Sequence, residues 1–216
     1  MREEINKKVV LIRYYFKKRL KKVLKNHGEK RITEIINGFS QGFDEYLEKS
    51  DLGEKNYKLS SYLNIYTGIA CYKVLQEFGY SGEEAFNIYG EVAHSIRMLA
   101  GKLFQLADSL PNGYKMVRNS ILEDITGLKG RCWDTEFTQD DENGFTYKIT
   151  RCIYFDTCRE CGCPEFTKAF CQHDIYAYGN LHKKVKFIRH STFGDGGDYC
   201  SDSFIRIKNQ KEKEKV

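Results

Sequence analysis

The chain has 216 residues, 41% of them hydrophobic and 30% charged, with a formal net charge of +5. That balance excludes a disordered chain and fits a globular core able to fold without disulfides or metal. No run approaches the roughly eighteen apolar residues of a membrane span, and the basic excess sits near the two ends rather than on one aromatic-studded surface, so a nucleic-acid role is not expected.

The first predicted element is a basic amphipathic helix over 5–26, with Val9, Ile12, Phe16, Leu20 and Val23 at spacings of three and four. Two uses are open to it: a packed terminal helix with a solvated face, or an element that meets a membrane surface or an acidic partner. Gly28 supplies its left-handed cap. Ile32, Ile35, Ile36, Phe39, Phe43, Tyr46 and Leu47 mark a second helix that stops near Gly53. A third runs from about Ser60 to Phe78, with Leu63, Tyr66, Ile69, Ala70, Val74 and Leu75 inward and Gly79 as its stop. Ser81 and Glu84 form a capping box, so a long helix starts there. Its inward face is expected to be Ala85, Ile88, Val92, Ile96, Leu99, Leu103 and Leu106, persisting until Pro111-Asn112-Gly113 breaks it. A shorter helix over about 114–125 follows.

After Gly127 the apolar period falls from near 3.6 to near 2. Two alternating strands over 131–138 and 145–153 flank the turn sequence QDDENG. Pro164 is placed to open a helix reaching about Tyr178, and strands over 184–193 and 199–208 flank GDGG. The expected class is α+β: N-terminal helices over 1–127, then a module over 128–208 with a four-stranded antiparallel sheet and one intervening helix, then a charged tail over 209–216.

VVLIRYYF near the N-terminus is too short and too broken by charge for a secretory core, so a cytoplasmic location is the expectation. Thiols stay reduced there, and the eight cysteines are expected to be core residues, ligands or nucleophiles rather than a disulfide framework. Cys71, Cys132 and the lone Trp133 have the setting of core residues.

Three patterns in the last eighty residues carry the candidate chemistry: Arg151-Cys152, the run PEFTKAFCQHD from Pro164, and FIRHSTFGDGGDYC from Phe187. On a helix from Pro164, Cys171, Asp174, Ile175 and Tyr178 share a face, which points a thiol and a carboxylate the same way. On a regular strand Arg189 and Thr192 face opposite sides, so only one of them would line a pocket. GDGG needs positive backbone dihedrals for its turn; its amides could also cradle a carboxylate.

Together these patterns resemble the 2-amino-thiazoline-4-carboxylate hydrolase family. That family carries a Cys after the second strand, a helix with Cys-x-x-Asp, then Phe-x-Arg-x-x-Thr, a Gly-rich turn and a closing Cys. Here those positions are Cys152, Cys171 and Asp174, Phe187, Arg189 and Thr192, Gly196, and Cys200. One departure stands out: the family follows its closing Cys directly with Asp-Phe, whereas this chain reads Cys200-Ser201-Asp202-Ser203-Phe204, moving the acid to the other face of a strand. The resemblance implies hydrolysis of a small cyclic amidine or thiazoline carboxylate at a C–N or C–S bond, with no cofactor. In that scheme Cys171 or Cys200 is the nucleophile, Asp174 the base or its orienter, and Arg189 a clamp for the substrate carboxylate, with Thr192, Cys152 and Gly196 as further substrate contacts.

Two other readings stay open. Cys158, Cys161 and Cys163 with His173 offer soft ligands for zinc or iron. The layout is also similar to small-ligand-binding domains of the four-vinyl-reductase and haem nitric-oxide sensor kind, which bind rather than catalyse, and His94 would then be the first haem-ligand candidate. The partner expected on the first reading is a small-molecule substrate; a homo-oligomer is left open.

Overall fold

The computed structural model describes residues 2–49, 59–127 and 132–208. Five helices come first: α1 (Arg2–Asn26), α2 (Ile32–Lys49), α3 (Leu59–Glu77), α4 (Gly82–Ser109) and α5 (Gly113–Gly127). The hairpin β1 (Trp133–Asp141) and β2 (Gly144–Cys152) follows, then α6 (Ile153–Glu160), α7 (Thr167–Tyr178), β3 (Val185–Ser191) and β4 (Cys200–Arg206). The class is α+β, as expected. The predicted stop near Gly53, the start of the first strand at Arg131 and the charged tail lie outside the described residues. No described helix is long and apolar enough to cross a membrane.

The local signals in the helical part hold up. Gly28 (φ 73°) and Gly79 (φ 92°) are left-handed caps, each followed by an amide that reaches back across the helix end, Glu29 to Leu24 and Tyr80 to Leu75. The capping box is reciprocal: Glu84 N–H donates to Ser81 Oγ at 3.2 Å and Ser81 N–H to Glu84 Oε2 at 2.8 Å. The chain divides into two compact units, Met1–Ser95 with Thr157–Ala169, and Ile96–Asp156 with Phe170–Val216. In the first, α3 is buried nearly all round, and Phe39 and Phe43 of α2 stack in sequence with Phe16 of α1.

The long helix departs from expectation in its second half. Ala85, Ile88 and Val92 are buried, but Leu99, Leu103 and Leu106 are about 60% exposed, and among the described side chains there, which exclude that of Ile96, the buried positions are Arg97, Gly101 and Asp108. Backbone proximity explains the choice of face. A Cβ at Gly101 would lie 2.4 Å from the Tyr176 carbonyl oxygen of α7, so only the glycine side of α4 admits α7 that closely. Asp108, buried on the same side, then accepts four successive backbone amides: His182 and Lys183 on Oδ2 at 3.0 and 2.8 Å, Lys184 and Val185 on Oδ1 at 2.8 and 2.9 Å. A hydrophobic periodicity cannot register that polar anchor.

The sheet has the order β1-β2-β4-β3, antiparallel throughout. Asp141 closes the β1–β2 turn by accepting the amides of Asn143 and Gly144. One face is apolar: Phe145, Tyr147, Val185 and Phe204 pack with Val117, Ile121 and Ile125 of α5 and Leu181. The other carries a polar ladder in which His190, Ser203 and Thr146 are joined at 2.7 and 2.8 Å.

Two sequence expectations are corrected between the hairpins. The second strand does not run through Ile153; it ends at Cys152 and passes directly into α6, with Ile153 N–H donating to the Cys132 carbonyl. Pro164 opens only a single 3₁₀ turn (Pro164–Phe166), and α7 starts at Thr167. Cys158-x-x-Cys161-x-Cys163 is therefore a helix terminus: Gly162 is left-handed at φ 67° and Cys163 N–H closes on the Cys158 carbonyl at 2.8 Å.

Replacing Asp108 by Ala removes the carboxylate to which four successive amides donate. The expected loss is about 3 kcal/mol or more, read as a lower urea midpoint with an unchanged slope. An unchanged midpoint would show that water replaces the carboxylate.

Candidate active site

Along β4, Cys200, Asp202 and Phe204 fall on one face of the sheet, because strand side chains alternate. Phe204 joins the apolar core, while Cys200 and Asp202 reach a cavity of about 220 Å³. Tyr147 and Ile149 of β2, opposite Asp202 and Cys200 in the register, line it too. From α7 come Phe170, Cys171, His173, Asp174 and Tyr178. Ile175, expected on that face, is 45% exposed and turns away.

Arg189 and Thr192 both line the cavity, against the expectation that only one could. The register with β4 slips between Arg189 and Ser191, so the strict alternation ends before Thr192. Thr192, 1% exposed, then leaves the strand as the N-cap of the 3₁₀ turn Phe193–Asp195 and accepts the Asp195 amide. Cys152, the last residue of β2, is also in the lining. The structure thus brings together Cys152, Cys171, Asp174, Arg189, Thr192 and Cys200. Gly196 is not among the lining residues; at φ 85° it provides the left-handed turn.

Arg189 is the organiser. Its Nε and Nη2 donate to both oxygens of Asp202 at 2.9 and 3.2 Å, Nη2 also to Asp174 Oδ2 at 2.7 Å, and Nη1 to the Cys171 carbonyl at 2.6 Å. Asp202, 2% exposed, takes a third bond from the Tyr147 hydroxyl at 2.9 Å. The fork assigned by resemblance to a substrate carboxylate is thus bonded to the protein's own. The shifted acid after Cys200 accounts for this, since only its new position puts it on the cavity side.

Asp174 is 44% accessible, but what it faces is the cavity, and the surrounding protein pushes its pKa up to about 6. Desolvation is the main cause, Arg189 opposes it, and Asp202 adds like-charge repulsion. The two thiols divide unequally. Cys200 donates its S–H to Cys171, and the Gly194 amide also donates to Cys171, which holds that thiol below its ordinary pKa. Cys200, as the donor, is pushed up, although it accepts the Phe193 amide at 3.4 Å. The Gly-rich turn therefore aims two successive amides at the two sulfurs. Thr192 is within reach of Cys171 as well, but its single proton also serves Asp195 Oδ2 at 2.8 Å. Burial pushes Cys152 up to about 12, so it stays a thiol.

Most of the chain matches a known family at this point: the family model of L-2-amino-thiazoline-4-carboxylic acid hydrolase covers residues 60–204. The chain belongs to that family. No curated protein and no solved structure matches it. The family segment begins in α3 and ends at Phe204, so it contains every cavity residue.

The metal alternative does not assemble. Among the described residues no group of three or more His, Cys, Asp or Glu side chains is arranged to hold an ion, and Cys158, Cys161, Cys163 and His173 form no such set. His173 lines the cavity, with its pKa lowered to about 3 by burial and by Arg97. His94, the haem-ligand candidate, is exposed and outside the lining. Sequence reasoning missed Trp133, Tyr147 and Asp124 as cavity residues. For Tyr147 the usable signal was its period-two spacing from Phe145 and Ile149; Trp133 and Asp124 had none.

The thiol assignment is open to measurement. Iodoacetamide at neutral pH is expected to label Cys171 ahead of Cys200 and Cys152, resolved by peptide mass spectrometry, and Cys200→Ala is expected to slow Cys171 labelling several-fold by removing its S–H donor. Faster labelling of Cys200 would reverse the assignment.

Proposed function

We propose that this protein hydrolyses a small cyclic amidine or thiazoline carboxylate. The observation that carries the reading is the convergence of Cys171, Asp174 and Cys200 on one partly enclosed cavity, with the more acidic thiol next to a carboxylate that titrates near neutrality.

Two routes use these groups. In the first, Asp174 takes a proton from water as its oxygen adds to the amidine carbon; the ring C–S or C–N bond then breaks, and the departing sulfur or nitrogen takes up the proton. In the second, the Cys171 thiolate adds to that carbon and expels the ring heteroatom, and water activated by Asp174 then releases Cys171 as thiolate. The Cys200 S–H stabilises Cys171 in the resting state and is placed to protonate a leaving group. Arg189 acts through the carboxylates, fixing Asp174 towards the cavity and pairing Asp202.

Incubation with 2-amino-thiazoline-4-carboxylate and with 2-amino-thiazoline, followed by assay of free thiol for C–S cleavage and of newly formed primary amine for ring C–N cleavage, tests the reading; no product from either would sink it. Asp174→Asn is expected to lower kcat/KM by about a hundredfold or more. Full activity in both Cys171→Ser and Cys200→Ser would leave only the direct-water route.

The pH profile has a definite sign. Asp174 must be ionised to act as base and its pKa is raised to about 6, so kcat/KM is expected to rise as pH increases through that value and level off above it. A profile falling through the same range would assign Asp174 as the acid.

A further inference from the structure

Helix α1 carries two apolar stripes, and its packing uses only one of them. Leu20, Val23 and Leu24 are buried, and the Phe16 ring is stacked on Phe39 of α2 at 4.9 Å. On the opposite side Val10, Leu11, Tyr14 and Tyr15 are 65%, 55%, 59% and 57% exposed. The two tyrosine rings meet edge to face there, 5.5 Å apart. Single exposed apolar residues are ordinary, but four of them on two consecutive turns form a patch. Lys18, Lys21, Lys22 and Lys25 continue the same outward stripe in steps of three and four, all exposed and none in an ion pair with a described residue.

The charge on this helix is of one sign. From Ile5 to Gly28 the chain has nine Lys and Arg residues and no Asp or Glu. Its arginines are committed to the fold, Arg13 bonded to Asp44 and Arg19 Nε donating to the Val92 carbonyl at 2.6 Å. Glu91, near the end of the helix, is held by His27 at 2.8 Å. The outward cations are therefore lysines, whose apolar stems can lie along hydrocarbon while the ammonium groups reach anionic headgroups. Tyrosine suits the same boundary, with an apolar ring and a polar tip. A nucleic acid would give Val10 and Leu11 no apolar surface, and the planar fork that best recognises phosphate is missing from this face. A second copy would bring the same cations and no acid to meet them.

We infer that the outward face of α1 is a docking surface for an anionic lipid bilayer. The helix lies in the plane of the interface, with Val10, Leu11, Tyr14 and Tyr15 at the boundary between headgroups and acyl chains, and with the following four lysines among the anionic headgroups. This inference is independent of the hydrolase reading, since none of these residues lines the cavity.

Flotation of the full chain with vesicles tests it, comparing phosphatidylcholine alone with three parts phosphatidylcholine to one part phosphatidylserine. Association is expected with the anionic vesicles at about 50 mM salt, weakened at least tenfold at about 500 mM, with little or none on the neutral vesicles. Lys18→Gln combined with Lys22→Gln is expected to weaken it by about tenfold or more. Val10→Ser combined with Leu11→Ser is expected to weaken it several-fold. Both pairs are exposed, so circular dichroism and melting temperature should match the parent. In Tyr14→Trp, the emission added to that of Trp133 should shift to the blue with anionic vesicles and be quenched by brominated lipid. No flotation with anionic vesicles at low salt overturns the inference, and retention of a 20-nucleotide RNA or of polyglutamate in that case would assign the face to a soluble polyanion. Equal flotation with neutral vesicles, or flotation unchanged in either double variant, overturns it as well.

Discussion

The pairing of Arg189 with Asp202 is the constraint on which the site depends. Both groups are withdrawn from water, with side chains 14% and 4% accessible, and neither is tolerable there alone. Asp202 uses both oxygens on the guanidinium and a further lone pair on Tyr147, which ties β3, β4 and β2 together through side chains as well as through the ladder. The remaining guanidinium donors reach the Cys171 carbonyl and Asp174, and so position α7 against the sheet. Removing either charge would leave the other buried and uncompensated, at a cost on the order of 3–5 kcal/mol.

The chemical character of the cavity follows from that pairing. A guanidinium that gives four of its five N–H groups to protein acceptors keeps a second acid ionisable in a setting that would otherwise protonate it. Asp174 sits between those pulls and titrates near neutrality. The thiols show the same logic on a smaller scale: Cys171, with Cys200 and the Gly194 amide as donors, is held below its ordinary pKa, and Cys200 is pushed up. The turn after β3 contributes here, since its Phe193 and Gly194 amides donate to Cys200 and Cys171.

Features that depend on neighbours in the chain were legible in the sequence. The two glycine caps, the capping box, the β1–β2 hairpin and the pairing of Cys171 with Asp174 on one helix face each follow from spacings of one to four residues, where the backbone period dictates geometry. What failed to show was set by remote partners. Nothing between Cys152 and Ile153 punctuates the change from strand to helix, because α6 begins where the Cys132 carbonyl, twenty-one residues earlier, takes the Ile153 amide. The leucine stripe of α4 lost the core to Arg97, Gly101 and Asp108 because α7 needs a close backbone approach and the segment before β3 needs a carboxylate.

By itself, then, the sequence determined the class, the order of elements, the family and six residues of the cavity, because these rest on periodicity, caps and short motifs. Tertiary structure alone decided what those residues can do. Arg189 was readable as a cation but not as one already spent on Asp202 and Asp174; the acid one place beyond its family position was readable as a departure but not as the partner that occupies it. The two thiols, separated by twenty-nine residues, are coupled only because folding brings them together. Charge balance and proton sharing are properties of groups brought within a few ångströms, and no pattern along the chain encodes that distance.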